Sequence, residues 1–250
     1  MEILGIDIGG TGIKGAPVDV TKGELTGEEH YLLTPQPSIP DAVADTVDEI
    51  AHHFAWKGPI GCTFPSIIRG GVSYNAANVD DSWIGANGER LFAERTGCPL
   101  RLINDGDAAG IAEMEFGAGR DRSGVVFLLA FGTGIGSAIF VNRQLLPNTE
   151  LGHIEMRGLE KDAEWWTSGY AKQREDLSYE TWADRVNKYL NYLDYLFSVD
   201  LFILGGGISR DHDKFLHLLQ VRSEVAPAHY YHQAGIVGAA LAARSLAGNE

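Results

Sequence analysis

The chain has 250 residues, 44% of them hydrophobic and 22% charged, the composition of a globular, soluble protein with enough apolar surface for one large or two smaller domains. Asp and Glu number 34 against 20 Lys and Arg, a formal net charge of −14 that argues against nucleic acid as a partner, because a phosphate backbone is held by clustered cations. Any polyanionic substrate needs a local basic patch working against that global field.

Met1-Glu2-Ile3-Leu4 enters directly into a predicted strand, without the charged segment and cleavage site of a signal peptide, and no apolar stretch approaches membrane-spanning length. The expected place is the cytoplasm, with no membrane partner. Leu4 to Ile8 is an apolar run interrupted by Asp7; Gly9-Gly10-Thr11-Gly12 is a turn, and the strand resumes from Ile13 to Val18. Glycines serve where a backbone takes positive φ or lies close to a ligand, and a Thr hydroxyl beside successive N–H groups makes an anion cradle, so phosphate is the guest this turn suits. Gly10-x-Gly12-x-x-Gly15 satisfies the dinucleotide fingerprint in letter, but that motif opens a helix and is followed about 20 residues on by an acidic ribose contact. Pro17 and Val18 follow here instead. No Gly-Lys-Ser or Gly-Lys-Thr closes it as a Walker A loop requires. Taken alone, the stretch is an ordinary hairpin.

Gly23 to Gly27 is a polar turn, His30 to Leu33 a third strand, and Pro17 predicts a bulge or local break in the second. Ser38 is expected to cap a helix with Pro40 in its first turn and Val43, Val47, Ile50 and Phe54 on one face. Ile60 to Phe64 is a strand ending at Pro65-Ser66 and containing Cys62, which with Cys98 reads as a small core residue. Two cysteines make neither a disulfide framework nor a four-thiolate zinc site. Residues 67–90, rich in Gly, Asn and Asp and including Asn75, Asn78, Asp80, Asp81 and Trp83, read as a long loop. A short helix over Leu91 to Arg95 and a strand over Leu100 to Ile103 lead to Asn104-Asp105, where Asp107 or a neighbour caps the next helix. By itself, an Asp at that strand tip is most simply a cap.

A second copy of the first hairpin changes the weight of the motif. Val125 to Phe131 is a buried strand, Gly132-Thr133-Gly134-Ile135-Gly136-Ser137 the turn, and Ala138 to Val141 the returning strand. Gly10 to Ile13 and Gly132 to Ile135 are the same tetrapeptide, so two identical hairpins, each opening half of the chain, point to a duplicated fold with two phosphate-binding turns facing one cleft. Downstream come Glu150-Leu151-Gly152-His153, a long amphipathic helix over Ser178 to Phe197, a strand over Val199 to Leu204 running into Gly205-Gly206-Gly207, and a small-residue helix over Ala234 to Leu241 suited to close packing.

The duplicated hairpins resemble those of the actin-like sugar kinases. Asp7-Ile8-Gly9-Gly10-Thr11-Gly12-Ile13-Lys14, Asn104-Asp105-Gly106-Asp107-Ala108-Ala109, Gly132-Thr133-Gly134-Ile135-Gly136 and Glu150-Leu151-Gly152-His153 narrow the resemblance to the ROK family of sugar kinases, from Ile3 to about Ala243. It implies an α/β, ribonuclease H-like fold in two domains flanking a cleft: residues 1–104 with 235–250 as the smaller, 105–234 as the larger. It further implies phosphoryl transfer to the 6-hydroxyl of glucose, and of mannose as a second sugar, by a homodimer using Mg²⁺.

By the same resemblance Asp105 is the base, and Ser66, Asn78, Asn104, Glu150 and His153 contact the sugar. Gly9, Gly10, Thr11, Gly12, Lys14, Gly132, Thr133, Gly134, Gly205, Gly206 and Gly207 hold the donor phosphates, and Asp7 orients the metal. The chain departs from many relatives in having no cysteine after Cys98, which removes the family's zinc site and leaves the third sugar-contacting carboxylate open, with Glu164 as its candidate. The short chain and the segment Leu201-Phe202-Ile203-Leu204-Gly205-Gly206-Gly207-Ile208-Ser209 look like the branch that uses inorganic polyphosphate, with ATP as a second donor. Lys14, Arg69, Arg157, Lys161, Arg210 and Lys214 are the cations expected along a phosphate chain. An ATP-dependent hexose or amino-sugar kinase and a non-catalytic sugar sensor on the same scaffold stay open at this point.

Overall fold

The computed structural model describes residues 1–76 and 79–248. The chain divides into two compact units, Met1–Ala112 with Gln233–Glu250, and Glu113–His232. The division after Ala112 falls within the helix that runs from Asp105 to Glu115.

The first unit contains strands β1 (Glu2–Ile8), β2 (Gly12–Asp19), β3 (Glu24–Leu25), β4 (His30–Leu33), β5 (Ile60–Phe64), β6 (Ile68–Arg69), β7 (Val72–Ser73) and β8 (Leu100–Asn104), with helices α1 (Pro40–His53), α2 (Gly88–Thr96) and α3 (Asp105–Glu115). Its sheet runs β3-β2-β1-β5-β8, with β4 also on β2; β1 and β2 are antiparallel, while β1, β5 and β8 are mutually parallel. Every residue of β5 is buried, as an apolar strand covered on both faces must be.

The second unit contains β9 (Val125–Phe131), β10 (Ile135–Val141), β11 (Gln144–Leu146), α4 (Ala163–Thr167), α5 (Gly169–Arg174), α6 (Tyr179–Phe197), β12 (Leu201–Gly205) and β13 (Glu224–Pro227); α7 (Ala234–Ala242) returns to the first. Its sheet is ordered β11-β10-β9-β12-β13, again an antiparallel meander flanked by two parallel strands. Each glycine turn thus joins the central strand of a sheet to its antiparallel neighbour. Ser178 caps α6 by accepting from Thr181 N, and Trp182, Val186, Tyr189, Leu190 and Leu193 form its buried stripe.

The small residues of α7 have a direct use. A Cβ on Gly5 of β1 would collide with the Ile236 carbonyl, one on Gly61 of β5 with the Ala239 carbonyl, and one on Gly238 with the Ala108 carbonyl. Backbone lies on backbone. On the opposite face, a Cβ on Gly15 would come within 2.7 Å of Ile50 of α1, so successive residues of the sheet send α7 and α1 to its two sides.

Several expectations are corrected. β2 is continuous through Pro17, which pairs with Leu4; its carbonyl faces the outer edge and accepts from Thr26 N (2.9 Å), so the missing N–H faces that edge too, between the stretches paired to β4 and β3. The interruption falls in the partner strand. Ser38 does not cap α1: Ile39 is the cap residue, while Ser38 accepts Asp80 N on its hydroxyl and Trp83 Nε1 (2.8 Å) on its carbonyl. The 67–90 segment carries the β6–β7 hairpin and a short helical turn at Asp81–Trp83, pinned by fully buried Trp83. Polar composition hid these elements because their hydrogen bonds, not their apolar periodicity, hold them.

The two hairpins are also not identical. Ile8 pairs with Ile13 across four intervening residues, but Phe131 pairs with Ile135 across three, although the tetrapeptide is shared. Gly9, Gly12, Gly132 and Gly134 all lie outside the left-handed region. Gly12 and Gly134 lie under close side chains instead: a Cβ on Gly12 would meet the exposed Tyr31 ring, and one on Gly134 the Glu164 carboxylate.

Candidate functional site

In the first unit the turn is held by Gly9 N donating to Gly12 O (3.0 Å), Thr34 N to Thr11 O (3.1 Å) and Thr34 Oγ1 to Gly9 O (2.6 Å). Asp7, three residues before Gly10, projects from the same strand end. Its Oδ1 accepts from Thr63 Oγ1 (2.7 Å), whose oxygen in turn accepts from Ile8 N (3.1 Å), and its Oδ2 lies 3.3 Å from Lys14 Nζ, its neighbour across the β1–β2 ladder. Gly235, in the first turn of α7, approaches so closely that a Cβ would sit 2.5 Å from the Asp7 carboxyl carbon. The carboxylate is therefore fixed by a hydroxyl, an ammonium and the positive end of a helix.

Asp105 stands exposed at the start of α3, with Oδ1 accepting from Gly106 N (2.8 Å). The capping role belongs to Asn104, whose Oδ1 accepts from Asp107 N (3.0 Å) and whose Nδ2 donates to Ser66 O (3.1 Å). Asn104 is buried, and both ends of its amide serve the backbone that presents Asp105. The Ser66 hydroxyl is likewise buried, within reach of Ser73 Oγ (2.6 Å) and Asn75 Oδ1 (2.8 Å). Asn78 lies outside the described residues.

In the second unit the shared tetrapeptide has other neighbours. Gly132 N donates to Gly134 O (2.9 Å), Tyr170 N to Gly132 O (2.9 Å), and Ile135 N to Glu164 Oε2 (2.7 Å). Glu164, from the first turn of α4, also lies against Gly152, where a Cβ would come 3.1 Å from its carboxylate. It shares electrostatic surroundings with the predicted sugar contacts: burial, then the charge of Glu164, raises the Glu150 carboxyl above its ordinary value, against the opposing pull of His153. His153 is also raised, chiefly by its hydrogen bond to Asp162 (Nδ1 to Oδ2, 3.1 Å), with Glu164 and Glu150 adding to it. Glu150, His153 and Glu164 thus form one cluster. Asp162 went unread in the sequence; its signal is only its position before α4, where it caps Trp165 N (3.0 Å).

Beside the second turn opens a cavity of about 470 Å³. Gly132, Thr133 and Gly207 of the expected donor set line it, joined by Phe131 and by Gly169, Tyr170, Lys172, Gln173, Asp176 and Tyr179 of the α4–α6 region. Gly206 does take positive φ (+82°), and a Cβ there would overlap the Phe131 backbone. Tyr179 donates to Asp211 Oδ2 (2.6 Å), Asp211 pairs with Lys214 (2.7 Å), and the phenol is pushed up to about 12 by burial and that carboxylate. No cluster of three or more His, Cys, Asp or Glu suited to a metal exists among the described residues. A lone fixed carboxylate such as Asp7 fits Mg²⁺, which takes one or two carboxylates and draws its other ligands from phosphates and water.

Residues 3–164 match the ROK family. The chain belongs to that family. It is 49% identical over 240 residues to a polyphosphate glucokinase of Mycobacterium tuberculosis, covering 96% of this chain and 90% of the relative. It is 48% identical over the same length to the polyphosphate glucokinase of Mycobacterium leprae, covering 74% of that protein. Among solved structures, an inorganic polyphosphate/ATP-glucomannokinase from Arthrobacter superposes with a TM-score of 0.89 at 44% identity, covering 96% of this chain and 97% of that one. A ROK glucokinase from Streptomyces griseus with glucose and AMPPNP superposes at 0.82 with 23% identity, a likeness of fold. The duplicated sheet order is thereby that of the actin-like, ribonuclease H-like fold.

Proposed function

We propose that the protein is a polyphosphate glucokinase, transferring a phosphoryl group from inorganic polyphosphate to the 6-hydroxyl of glucose, with mannose as a second acceptor and ATP as a second donor. The observation that carries this reading is near-full-length identity of 49% to a polyphosphate glucokinase, supported by the polyphosphate/ATP-glucomannokinase likeness. Asp105, presented at a helix start by the Asn104 cap, takes the proton of the attacking hydroxyl. Glu150, His153 and Glu164 hold sugar hydroxyls, Asn78 joins them, and Ser66 and Asn104 support the loop and helix that carry the contacts. The glycine turns seat donor phosphates, and Lys14 balances charge between Asp7 and a phosphate oxygen. Mg²⁺, when bound, offsets the charge that develops on the transferred group, and Asp7 is the residue that would orient it. The enzyme on this reading is a cytoplasmic homodimer.

Such catalysis rests on positioning and electrostatics. The test is a glucose 6-phosphate assay of the purified protein with polyphosphate and with ATP across a salt series. Turnover from polyphosphate, falling steeply with salt, is expected; turnover from ATP alone overturns the donor assignment, and none from either donor overturns the enzyme.

A further inference from the structure

We infer that Lys172 is the donor-specificity residue of the cavity beside the second turn, binding a phosphate of polyphosphate beyond those seated at Gly132 and Thr133. This rests on the polyphosphate reading above and names the group that reads the donor's length. Of the cations expected along a phosphate path, Lys214 pairs with Asp211 (2.7 Å), Lys14 with Asp7 (3.3 Å), Arg210 lies against His232 (3.2 Å), Arg69 and Lys161 sit over the Tyr74 and Trp165 rings, and none of the six lines this cavity. Arg174, on the same helix as Lys172, is clamped to Glu175 (2.6 Å) and stacked on Trp165 at 3.8 Å.

Lys172 differs. It lines the cavity wall, and among the described residues no carboxylate lies within ion-pair distance of it. Its ammonium donates to Leu177 O (2.7 Å) and sits 4.2 Å above the Tyr179 ring, leaving two of its three N–H groups available. The carbonyl and the ring hold it without neutralising it. Asp176 is the acidic group of the same wall, and Asp211 is near enough to have its acidity strengthened by Lys172. The ammonium is thus held in place yet unspent on a salt bridge.

Its position fixes what it reads. Tyr170 N binds Gly132 O, so α5 starts beside the turn, and Lys172 follows two residues later, about 3 Å further along the helix axis. A donor seated at Gly132 and Thr133 that continues along this wall presents another phosphate if it is polyphosphate. If it is ATP, the triphosphate gives way to a nucleoside, which Tyr170, Gln173 and Asp176 suit better than Lys172 does. Electrostatic gain at this point therefore favours the longer polyanion.

Lys172→Met keeps the apolar stem and removes the charge, and Lys172→Arg restores charge as the rescue. KM for polyphosphate, for ATP and for glucose would be measured across a salt series, with thermal melts to verify folding. Lys172→Met should raise the polyphosphate KM about tenfold, the ATP KM less than about threefold and the glucose KM not at all, and should reduce the log–log salt slope for polyphosphate by about one; Lys172→Arg should recover most of the loss. An unchanged polyphosphate KM and salt slope in folded Lys172→Met, or equal losses for both donors, overturns the assignment while leaving the enzyme a polyphosphate kinase. A wild-type protein inactive with polyphosphate removes the parent reading instead.

Discussion

The tetrapeptide Gly-Thr-Gly-Ile occurs at Gly10–Ile13 and at Gly132–Ile135, at the same place in two sheets of the same strand order, yet the two turns differ in nearly everything around them. Three residues before the first lies Asp7, held by Thr63 and Lys14; three before the second lies Leu129, fully buried. The first loop is one residue longer in register. The first is braced by Thr34, the second by Tyr170 and the Glu164 carboxylate, and the second lines a cavity of about 470 Å³. A duplicated backbone solution has been kept while the side chains diverged, so that one copy carries an acidic group and the other a binding wall. What a glycine turn does is set by what stands next to it.

The sharpest break of this comparison is at the acidic end of the first unit. Asp105→Ala should lower kcat about 10²–10⁴-fold and leave glucose affinity nearly intact, since a base acts in the transition state; steady-state kinetics with calorimetric glucose binding checks it, and near-normal kcat removes Asp105 from the chemistry. Asp7→Asn should weaken the apparent affinity for Mg²⁺ by roughly 10–100-fold, the loss typical of a group that orients metal ligands, while Leu129→Val in the second copy should leave it unchanged. Equal metal dependence in wild type and Asp7→Asn would mean that the first copy has no special chemistry.

Smaller effects separate the turns themselves. Gly134→Ala forces a methyl group against the Glu164 carboxylate that holds Ile135 N, and should cost about 1–3 kcal/mol by urea denaturation. Gly12→Ala meets the ring of Tyr31, which is 54% exposed and free to swing outward, and should change stability within about 0.5 kcal/mol. Similar costs at both sites would show that the neighbours matter less than the turn.

The smallest expected effect is a pH dependence near the second turn. Hydrogen bonding to Asp162 raises His153 above its ordinary 6.5, so the folded state binds that proton more tightly than the unfolded chain. The contribution is fully present below 6.5 and is lost as pH rises through the raised folded value. Asp162→Asn should return His153 toward its ordinary titration by NMR, and its Tm deficit against wild type should shrink as pH rises through that window. A deficit that grows with pH contradicts the pairing.

The repeat, the family pattern, Asp105 at a strand tip and the apolar stripe of α6 were legible because local spacing determines them: strand, turn and helical periodicity are properties of a few neighbouring residues. The same locality made Ile60–Phe64 readable to the residue. Tertiary structure decided what depends on groups distant in sequence. Asn104 became the cap through Ser66, Pro17 kept its strand because its edge partner is interrupted, and Gly12 and Gly134 face side chains that approach them rather than taking positive φ. Glu164 is brought to Ile135 N, 29 residues away, only by the folded chain, and Lys172 carries no motif at all. A motif records the backbone conformation it needs; the charge, hydroxyl or cavity that stands beside it is supplied by chain that folds back from elsewhere, and the pattern of nearest neighbours cannot encode that distance.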